Sequence, residues 1–342
     1  MIIEASKEMI YIEEVMAPKY LRMALLHERQ SHYPFGHGEL NEMSPARLSQ
    51  KVHTGSIQMS NGVEFPLFGL GTWLADSSEE LELALKVALD AGYRYFDTAV
   101  QYNNEQIIGK VLEKYFQNGC LKRSDVFISS KLPFYGHRQE DAERHILESL
   151  KRLRVDYIDL YLLHGPYPCK ADAKGDLVQD DDGQPIPDLV PHIETWRVLE
   201  KFYRMGKIKA LGVSNFNRQQ LLDLYHKADI KPHNLQVECH VLWPQDDLLE
   251  FCQNIGITMT AYCPTGLCET LESAGSSQEN LSIKHSLVLE LAKKYNKTPA
   301  QKTRCICLVK SKRGNDCLTW ILSTIIHGIL FDMNTMNNGY TP

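Results

Sequence analysis

The sequence predicts an α/β fold: a (β/α)8 TIM barrel, preceded by an N-terminal β-hairpin, whose last strand and helix are missing or replaced. Short apolar runs alternate with helical patterns from Phe68 to Tyr262, and this alternation indicates a parallel sheet. Polar residues such as Asp97, Lys131 and His164 stand at or just past the ends of these strands. A barrel carries its functional residues at those strand ends, so both observations favour it.

An open, doubly wound sheet is the competing architecture. Its first turn should read Gly-x-Gly-x-x-Gly, because each glycine lets the backbone approach a dinucleotide or a packed helix. Here the turn reads GLGTWL over residues 69–74, which lacks the third glycine and contains a bulky tryptophan. The strand ends that carry polar residues are those at Asp97, Lys131, His164, Ser214, Gln236 and Tyr262. This pattern favours the closed barrel.

The elements are predicted in the following order. Alternating apolar residues on both sides of Asn61-Gly62 predict a hairpin, because both positions of such a turn favour positive φ. Ser77 and Glu80 form a capping box for the first helix, and Gly92 ends it. The predicted strands are Phe68–Gly71, Tyr93–Asp97, Val126–Lys131, Tyr157–His164, Ala210–Val213, Leu235–Glu238 and Thr258–Tyr262. The later predicted helices are Asp141–Leu153, Ile193–Met205, Gln219–Lys227 and Asp246–Asn254.

Three regions are expected along the chain: a poorly ordered extension over residues 1–55, the barrel over 56–301 and a divergent tail over 302–342. Thr298–Gln301 opens a helix, after which the barrel pattern is lost. A barrel without its eighth strand has two open parallel edges. Cys305–Val309 is one candidate for that strand, with Leu318–Phe331 as a helix covering it.

Composition excludes several classes of protein. The net charge of −6 argues against a nucleic-acid-binding protein, which usually has a basic face. No apolar run reaches the roughly 18 residues of a membrane span. The nine scattered cysteines suggest thiols in a reducing compartment, and the charged N-terminus does not resemble a secretory signal. We therefore expect a cytoplasmic protein that binds neither nucleic acid nor membrane.

Four residues are candidates for one catalytic site: Asp97, Tyr102, Lys131 and His164. A tyrosine, with an ordinary pKa of about 10, is a poor acid near neutral pH. A neighbouring ammonium lowers such a pKa by roughly 1–3 units, and a carboxylate keeps that ammonium charged. A neutral histidine can orient a carbonyl oxygen. Together these groups describe a general acid that protonates a carbonyl, and this chemistry requires no metal.

Several stretches identify a known family. They are GLGTW at residues 69–73, GYRYFDTAVQYNNE at 92–105, GVSNF at 212–216 and QVECH at 236–240. With these stretches, residues of about 56–301 resemble the aldo-keto reductase family, and the spacing of Tyr102, Lys131 and His164 matches its tetrad. The resemblance implies a monomeric oxidoreductase that reduces small aldehydes or ketones with NADPH, although NADH is not excluded.

The resemblance also implies a role for each site residue. Tyr102 is the proton donor, Lys131 lowers its pKa, and Asp97 holds Lys131. His164 and Trp73 bind the substrate, and His164 orients its carbonyl. The cofactor-binding residues are Gly71, Thr72, Trp73, Asp97, Ser214, Asn215, Gln236 and Tyr262. Among these, Ser214, Asn215 and Gln236 bind the nicotinamide carboxamide, and Tyr262 stacks on its ring.

The chain departs from the family in its pocket and its tail. Gly165 and Pro133 stand where tryptophans are usual, so we expect a wider or differently shaped substrate site. The loop 167–191 is expected to form one rim of the substrate site. Its acidic run Asp180–Asp182 indicates a solvated turn. Lys310-Ser311 matches only part of the family's cluster that binds the 2′-phosphate of NADPH. An alternative is therefore a catalytically impaired or regulatory isoform with an incomplete barrel.

Overall fold

A computed structural model describes residues 55–75, 77–240, 243–264, 285–296 and 299, and the backbone of Leu318–Leu322. Its strands are β1 (Ser56–Gln58), β2 (Glu64–Pro66), β3 (Phe68–Gly71), β4 (Tyr95–Asp97), β5 (Phe127–Leu132), β6 (Ile158–Leu163), β7 (Ile208–Ser214), β8 (Asn234–Glu238), β9 (Thr258–Tyr262) and β10 (Leu318–Leu322). Strands β3 to β10 form a closed parallel barrel. The predicted barrel is therefore confirmed.

Helices follow the strands along the chain. They are α1 (Ser78–Asp90), α2 (Glu105–Gln117), α3 (Gln139–Leu153), α4 (His192–Arg204), α5 (Arg218–Lys227), α6 (Asp246–Asn254) and α7 (Ser286–Lys294). The predictions did not include α2 or α7, and the predicted bounds of the other elements differ by up to two residues. In α2 the buried residues Ile108, Val111 and Leu112 recur at the helical period and mark its inner face.

The first helix shows how local sequence sets an element. The Ser77 side chain accepts a hydrogen bond from the backbone N–H of Glu80 at 3.3 Å, as the predicted cap requires. Gly92 has φ +93°, a conformation that favours glycine at the end of a helix. Leu81 and Leu85 are fully buried, and burying such a side chain contributes about 1.5–3 kcal/mol.

The hairpin β1–β2 supplies an aromatic cluster that includes residues of the barrel interior. Phe65 is fully buried, with its ring 5.4 Å from Tyr95 and 5.1 Å from Phe127. The expected turn with two positive φ values is wrong, because only Gly62 has one, at +84°. Asn61 instead donates a hydrogen bond to the Lys209 carbonyl at 2.9 Å, which ties the turn to β7.

Strand β10 corrects the expectation for the tail. Trp320 pairs with Phe68 of β3 and Leu318 pairs with Met259 of β9, so this strand occupies the last position of the barrel. A covering helix is therefore wrong for residues 318–322, because the open edges of β3 and β9 need backbone partners. Two predicted features lie outside the described residues: the strand candidate Cys305–Val309 and the N-terminal extension up to residue 54. Of the predicted helix start Thr298–Gln301, the structure describes Pro299. Among the described helices, none has the length and hydropathy of a membrane span.

Candidate active site

The carboxyl ends of neighbouring strands bring a lysine and an aspartate into a buried ion pair. Lys131 Nζ in β5 lies 2.5 Å from Asp97 Oδ1 at the end of β4. Lys131 is fully buried and Asp97 is 3% exposed. Because both groups are removed from water, each charge is compensated by the other.

A short 3-10 turn, Val100–Tyr102, carries the tyrosine to the same place. Lys131 Nζ donates a hydrogen bond to the Tyr102 hydroxyl at 3.2 Å and another to the Thr98 carbonyl at 3.0 Å. An ammonium has three donors, and Asp97, Thr98 and Tyr102 together use all of them. The Tyr102 oxygen thus accepts from Lys131, which leaves its own proton available to another group.

The pKa values differ from the expectation in one respect. Burial raises the pKa of the Tyr102 hydroxyl above its ordinary value, and the nearby charge of Lys131 opposes this without reversing it. The lowering effect expected of Lys131 is therefore present, but burial outweighs it. For Lys131, burial lowers the ammonium pKa, but Asp97 and Tyr102 outweigh it and the pKa is raised. The resting site holds a protonated phenol beside a charged lysine.

Asp97 has more partners than the tetrad supplies. Its Oδ2 accepts hydrogen bonds from Ser129 Oγ at 2.6 Å and from Gln236 Nε2 at 3.0 Å. The Tyr95 hydroxyl lies 3.1 Å from Ser129 Oγ. Because the single Ser129 proton serves the carboxylate, the Tyr95 hydroxyl donates to Ser129. Sequence reasoning missed Ser129 and Tyr95, although both lie two residues before a tetrad member and so face the same side of a strand.

His164 follows β6 and stands over the tyrosine. Its ring centroid is 5.6 Å from that of Tyr102, with the rings at 76°. Burial and the charge of Lys131 lower the pKa of His164 to about 3. The imidazole is therefore neutral at neutral pH. Its Nδ1 is buried and has no hydrogen-bond partner among the described residues.

Of the predicted cofactor residues, Ser214 and Tyr262 end β7 and β9, Asn215 follows β7, and Gln236 lies in the middle of β8. Ser214 pairs in register with Gln236, and both are buried. The Tyr262 hydroxyl donates to Asn215 Oδ1 at 2.8 Å, and Asn215 Nδ2 donates to the His164 carbonyl at 3.0 Å. A half-buried aromatic ring beside amide and hydroxyl groups fits a flat ring that bears a carboxamide, such as nicotinamide.

The turn after β3 lies beside the tetrad. Gly71 pairs with Asp97, and Thr72 donates hydrogen bonds from its N–H and Oγ1 to the Asp97 carbonyl, both at 3.0 Å. Trp73 follows in the turn and is half-buried. The structure thus brings all predicted site residues to one end of the barrel.

Comparison with known proteins agrees with this geometry. The sequence model of the Aldo/keto reductase family matches residues 67–304. The chain belongs to the aldo-keto reductase family. It is therefore an oxidoreductase that acts on carbonyls and alcohols with a nicotinamide cofactor.

Individual relatives match most of this aldo-keto reductase. Aldo-keto reductase family 1 member A1 of Gallus gallus is 38% identical over 72% of this chain and 74% of its own. The Homo sapiens protein of the same name is 36% identical over 75% and 80%. The structure of the aldose reductase from Schistosoma japonicum has a TM-score of 0.67 and 37% identity, and the match covers 78% of this chain and 82% of that one.

Asn104 ties two strand ends of this reductase together behind Tyr102. Its Nδ2 donates to the Thr72 carbonyl at 2.8 Å, and its Oδ1 accepts from Thr98 Oγ1 at 2.7 Å. Thr98 in turn offers its carbonyl to Lys131. Asn104 is only 2% exposed, so no water replaces these bonds readily. Sequence reasoning placed Asn104 in a family motif but gave it no role.

We expect Asn104→Ala to lower kcat by about tenfold and the free energy of unfolding by about 1–3 kcal/mol, because it leaves buried polar groups without partners. Steady-state kinetics and urea unfolding measure both effects. Asn118→Ala is the matched control, since the side chain of Asn118 is exposed and accepts a hydrogen bond from the nearby Cys120 N–H. An unchanged kcat in a destabilised Asn104→Ala protein would show that Asn104 does not position the turn.

The loop 167–191 contains two similar acidic turns. Asp172 Oδ1 accepts hydrogen bonds from the N–H groups of Lys174 and Asp176, and Asp180 Oδ1 accepts from those of Asp182 and Gln184. These carboxylates therefore stabilise turns, as predicted for Asp180. In the part of the chain that the structure describes, no cluster of three or more His, Cys, Asp or Glu residues is arranged to hold a metal.

Proposed function

We propose that this protein reduces aldehydes and ketones to alcohols with NADPH, and that Tyr102 donates the proton to the carbonyl oxygen. The observation that carries the proposal is the Tyr102 hydroxyl, 3.2 Å from a lysine that is itself paired with a buried aspartate. NADPH, when bound, supplies the hydride that goes to the carbonyl carbon. The remaining chemistry belongs to the side chains of this chain.

Proton delivery depends on Lys131. As the proton leaves Tyr102, negative charge grows on the phenolic oxygen, and the ammonium stabilises it through the existing hydrogen bond. Asp97 keeps the ammonium charged and fixes its direction. Ser129 and Gln236 hold the second oxygen of that carboxylate, so the pair has little freedom to turn away.

His164 is proposed to orient the carbonyl. Its low pKa keeps the ring neutral, so it can donate one N–H without adding a second positive charge beside Lys131. A hydrogen bond from the ring and one from Tyr102 would fix the carbonyl oxygen between two donors. Such positioning lowers the activation barrier, because the reacting groups lose less orientational freedom on the way to the transition state.

The proposed cofactor contacts follow the strand ends. Tyr262 offers its ring face, and its hydroxyl is fixed by Asn215. Ser214, Asn215 and Gln236 offer the hydroxyl and amide groups that a carboxamide needs. Gly71, Thr72 and Trp73 border the same mouth from the turn after β3. NADPH is proposed in preference to NADH on the family resemblance alone.

The direct test is titration of the full-length protein with NADPH and, separately, NADH, followed by steady-state reduction of 4-nitrobenzaldehyde and propanal. Saturable binding with turnover supports the proposal, and tighter binding of NADPH supports the choice of cofactor. Binding without turnover of any carbonyl would overturn it in favour of the impaired or regulatory alternative. Loss of the bound NADPH signal on unfolding in urea controls for nonspecific quenching.

The pH dependence of reduction follows from the two pKa shifts. His164 is uncharged above its pKa of about 3, and Tyr102 keeps its proton beyond its ordinary value because burial raises its pKa. We expect kcat for reduction to be flat between about pH 5 and pH 9 and to fall at higher pH as the phenol loses its proton. A break near pH 6 to 7 would instead indicate a titrating group that the proposed mechanism lacks.

We also propose that the enzyme acts as a monomer in the cytoplasm. All four tetrad residues come from one chain and meet at one barrel mouth, so the reaction needs no second copy. Size-exclusion chromatography with light scattering, at the concentration used for kinetics, tests the oligomeric state.

A further inference from the structure

Phe134 packs against His164 of the candidate active site, although it stands at neither of the two positions where the family usually has a tryptophan. The sequence predicts the loss of two tryptophan walls at Pro133 and Gly165 and therefore a changed pocket. The structure instead places the Phe134 ring 5.2 Å from the His164 ring, with an angle of 32° between them. The Phe134 ring also contacts the Tyr167 ring, and the centroids of these two rings are 6.3 Å apart. An aromatic wall is thus rebuilt from neighbouring residues.

Gly165 makes this arrangement possible. A Cβ atom built on Gly165 would lie 2.7 Å from Cε1 of Phe134, closer than side-chain carbons approach. Gly165 is buried, so a larger residue there has no open space to enter. A side chain at position 165 and the Phe134 ring in its present place therefore exclude each other.

The backbone holds Phe134 firmly in this place. The Phe134 carbonyl accepts a hydrogen bond from the Cys169 N–H at 2.8 Å, which ties it to the loop 167–191. The Gly136 N–H donates to the Pro133 carbonyl at 2.9 Å and closes a short 3-10 turn. Proline also restricts the backbone before Phe134. The backbone of Phe134 is therefore held in place, and its ring lies against those of His164 and Tyr167.

We propose that Phe134, admitted by Gly165, determines substrate specificity by contacting the part of the substrate that does not react. This inference rests on the proposed function, which places the carbonyl between Tyr102 and His164. A planar ring attached to that carbonyl lies within reach of Phe134 and gains an aromatic contact, whereas a short aliphatic chain gains little. Phe134 therefore selects ring-bearing aldehydes over short aliphatic ones without taking part in the chemistry.

The first test compares Phe134→Ala and Phe134→Leu with the wild type on 4-nitrobenzaldehyde and propanal. We expect Phe134→Ala to lower kcat/KM for the ring-bearing aldehyde by about tenfold, mainly through KM, and for propanal by less than about twofold. Phe134→Leu should recover part of the loss. Tyr115→Phe, far from the pocket, controls for general effects of changing an aromatic residue. An unchanged ratio between the two aldehydes would overturn the inference.

The second test uses the mutual exclusion of the two positions. Gly165→Trp alone should lower activity on both aldehydes because it displaces Phe134 against His164. The double variant Phe134→Ala, Gly165→Trp should regain a large part of the preference for 4-nitrobenzaldehyde. Strictly additive effects would contradict the proposed contact. Thermal unfolding and NADPH binding of each variant separate these effects from loss of the fold.

A binding measurement keeps the two proposals distinguishable. If the wild type with NADPH reduces neither aldehyde, the proposed function fails. The affinity for the reduction product 4-nitrobenzyl alcohol, measured by calorimetry without oxidised cofactor on the wild type and Phe134→Ala, then still decides the inference. A loss of affinity of about tenfold supports a contact with Phe134, and equal affinities exclude it.

Discussion

Replacing Tyr102 with phenylalanine is expected to lower kcat for aldehyde reduction by about 10²- to 10⁴-fold. The substitution removes the one hydroxyl that receives the Lys131 hydrogen bond and faces His164. The ring remains, so packing and NADPH binding should stay within about twofold of the wild type. Steady-state kinetics with 4-nitrobenzaldehyde, together with an NADPH titration of the same preparation, measures both quantities.

Tyr115→Phe is the matched control for this change. Tyr115 also donates its hydroxyl, to Asp90 at 3.2 Å, but on the outer helices of the barrel. It should leave kcat unchanged. A Tyr102→Phe protein that keeps most of its activity would overturn the assignment of Tyr102 as the proton donor.

Replacing Lys131 with methionine should have the largest effect on stability. Asp97 would remain as a buried carboxylate without its ion-pair partner, and breaking such a pair from one side costs about 3–5 kcal/mol. Activity should also fall, because the developing charge on Tyr102 loses its neighbouring cation. Urea unfolding followed by circular dichroism measures the change in the free energy of unfolding.

Two further variants make the Lys131 result specific. Lys86→Met removes a lysine whose ion pair with Glu82 is partly exposed, and it should cost less than about 0.5 kcal/mol. The double variant Asp97→Asn, Lys131→Met should be less destabilised than the two single changes added together, because it leaves no uncompensated buried charge. Additive losses would show that the pair is not energetically coupled.

Local patterns were enough to predict much of this fold. Ser77 with its cap, Gly92 at a helix end and the polar strand ends each depend on chemistry within a few residues. The same strand ends predicted that Asp97 and Lys131 would meet, because parallel strands bring their carboxyl ends to one side of a barrel. The meeting of these residues was therefore predictable, while their exact partners were not.

The missed features depend on contacts between distant parts of the chain. Ser129 and Asn104 look like ordinary polar residues until their partners on other strands are known. The position of Phe134 depends on the absence of a side chain at Gly165, so neither residue is informative alone. At Tyr102 the pKa-lowering effect of Lys131 was foreseen, but the larger, opposite effect of burial was not, because burial depends on the whole fold.

Closure of the barrel by β10 has a consequence for biosynthesis. The pairing of Trp320 with Phe68 joins the last described strand to the first strand of the barrel, so it links residues about 250 positions apart in the sequence. A growing chain on the ribosome cannot form it until nearly all of the sequence has emerged. Until then β3 and β9 expose their edges, and a nascent chain in this state is open to mispairing and to capture by chaperones. A chain that stopped before residue 318 would keep the edges of β3 and β9 exposed permanently, because it would lack β10.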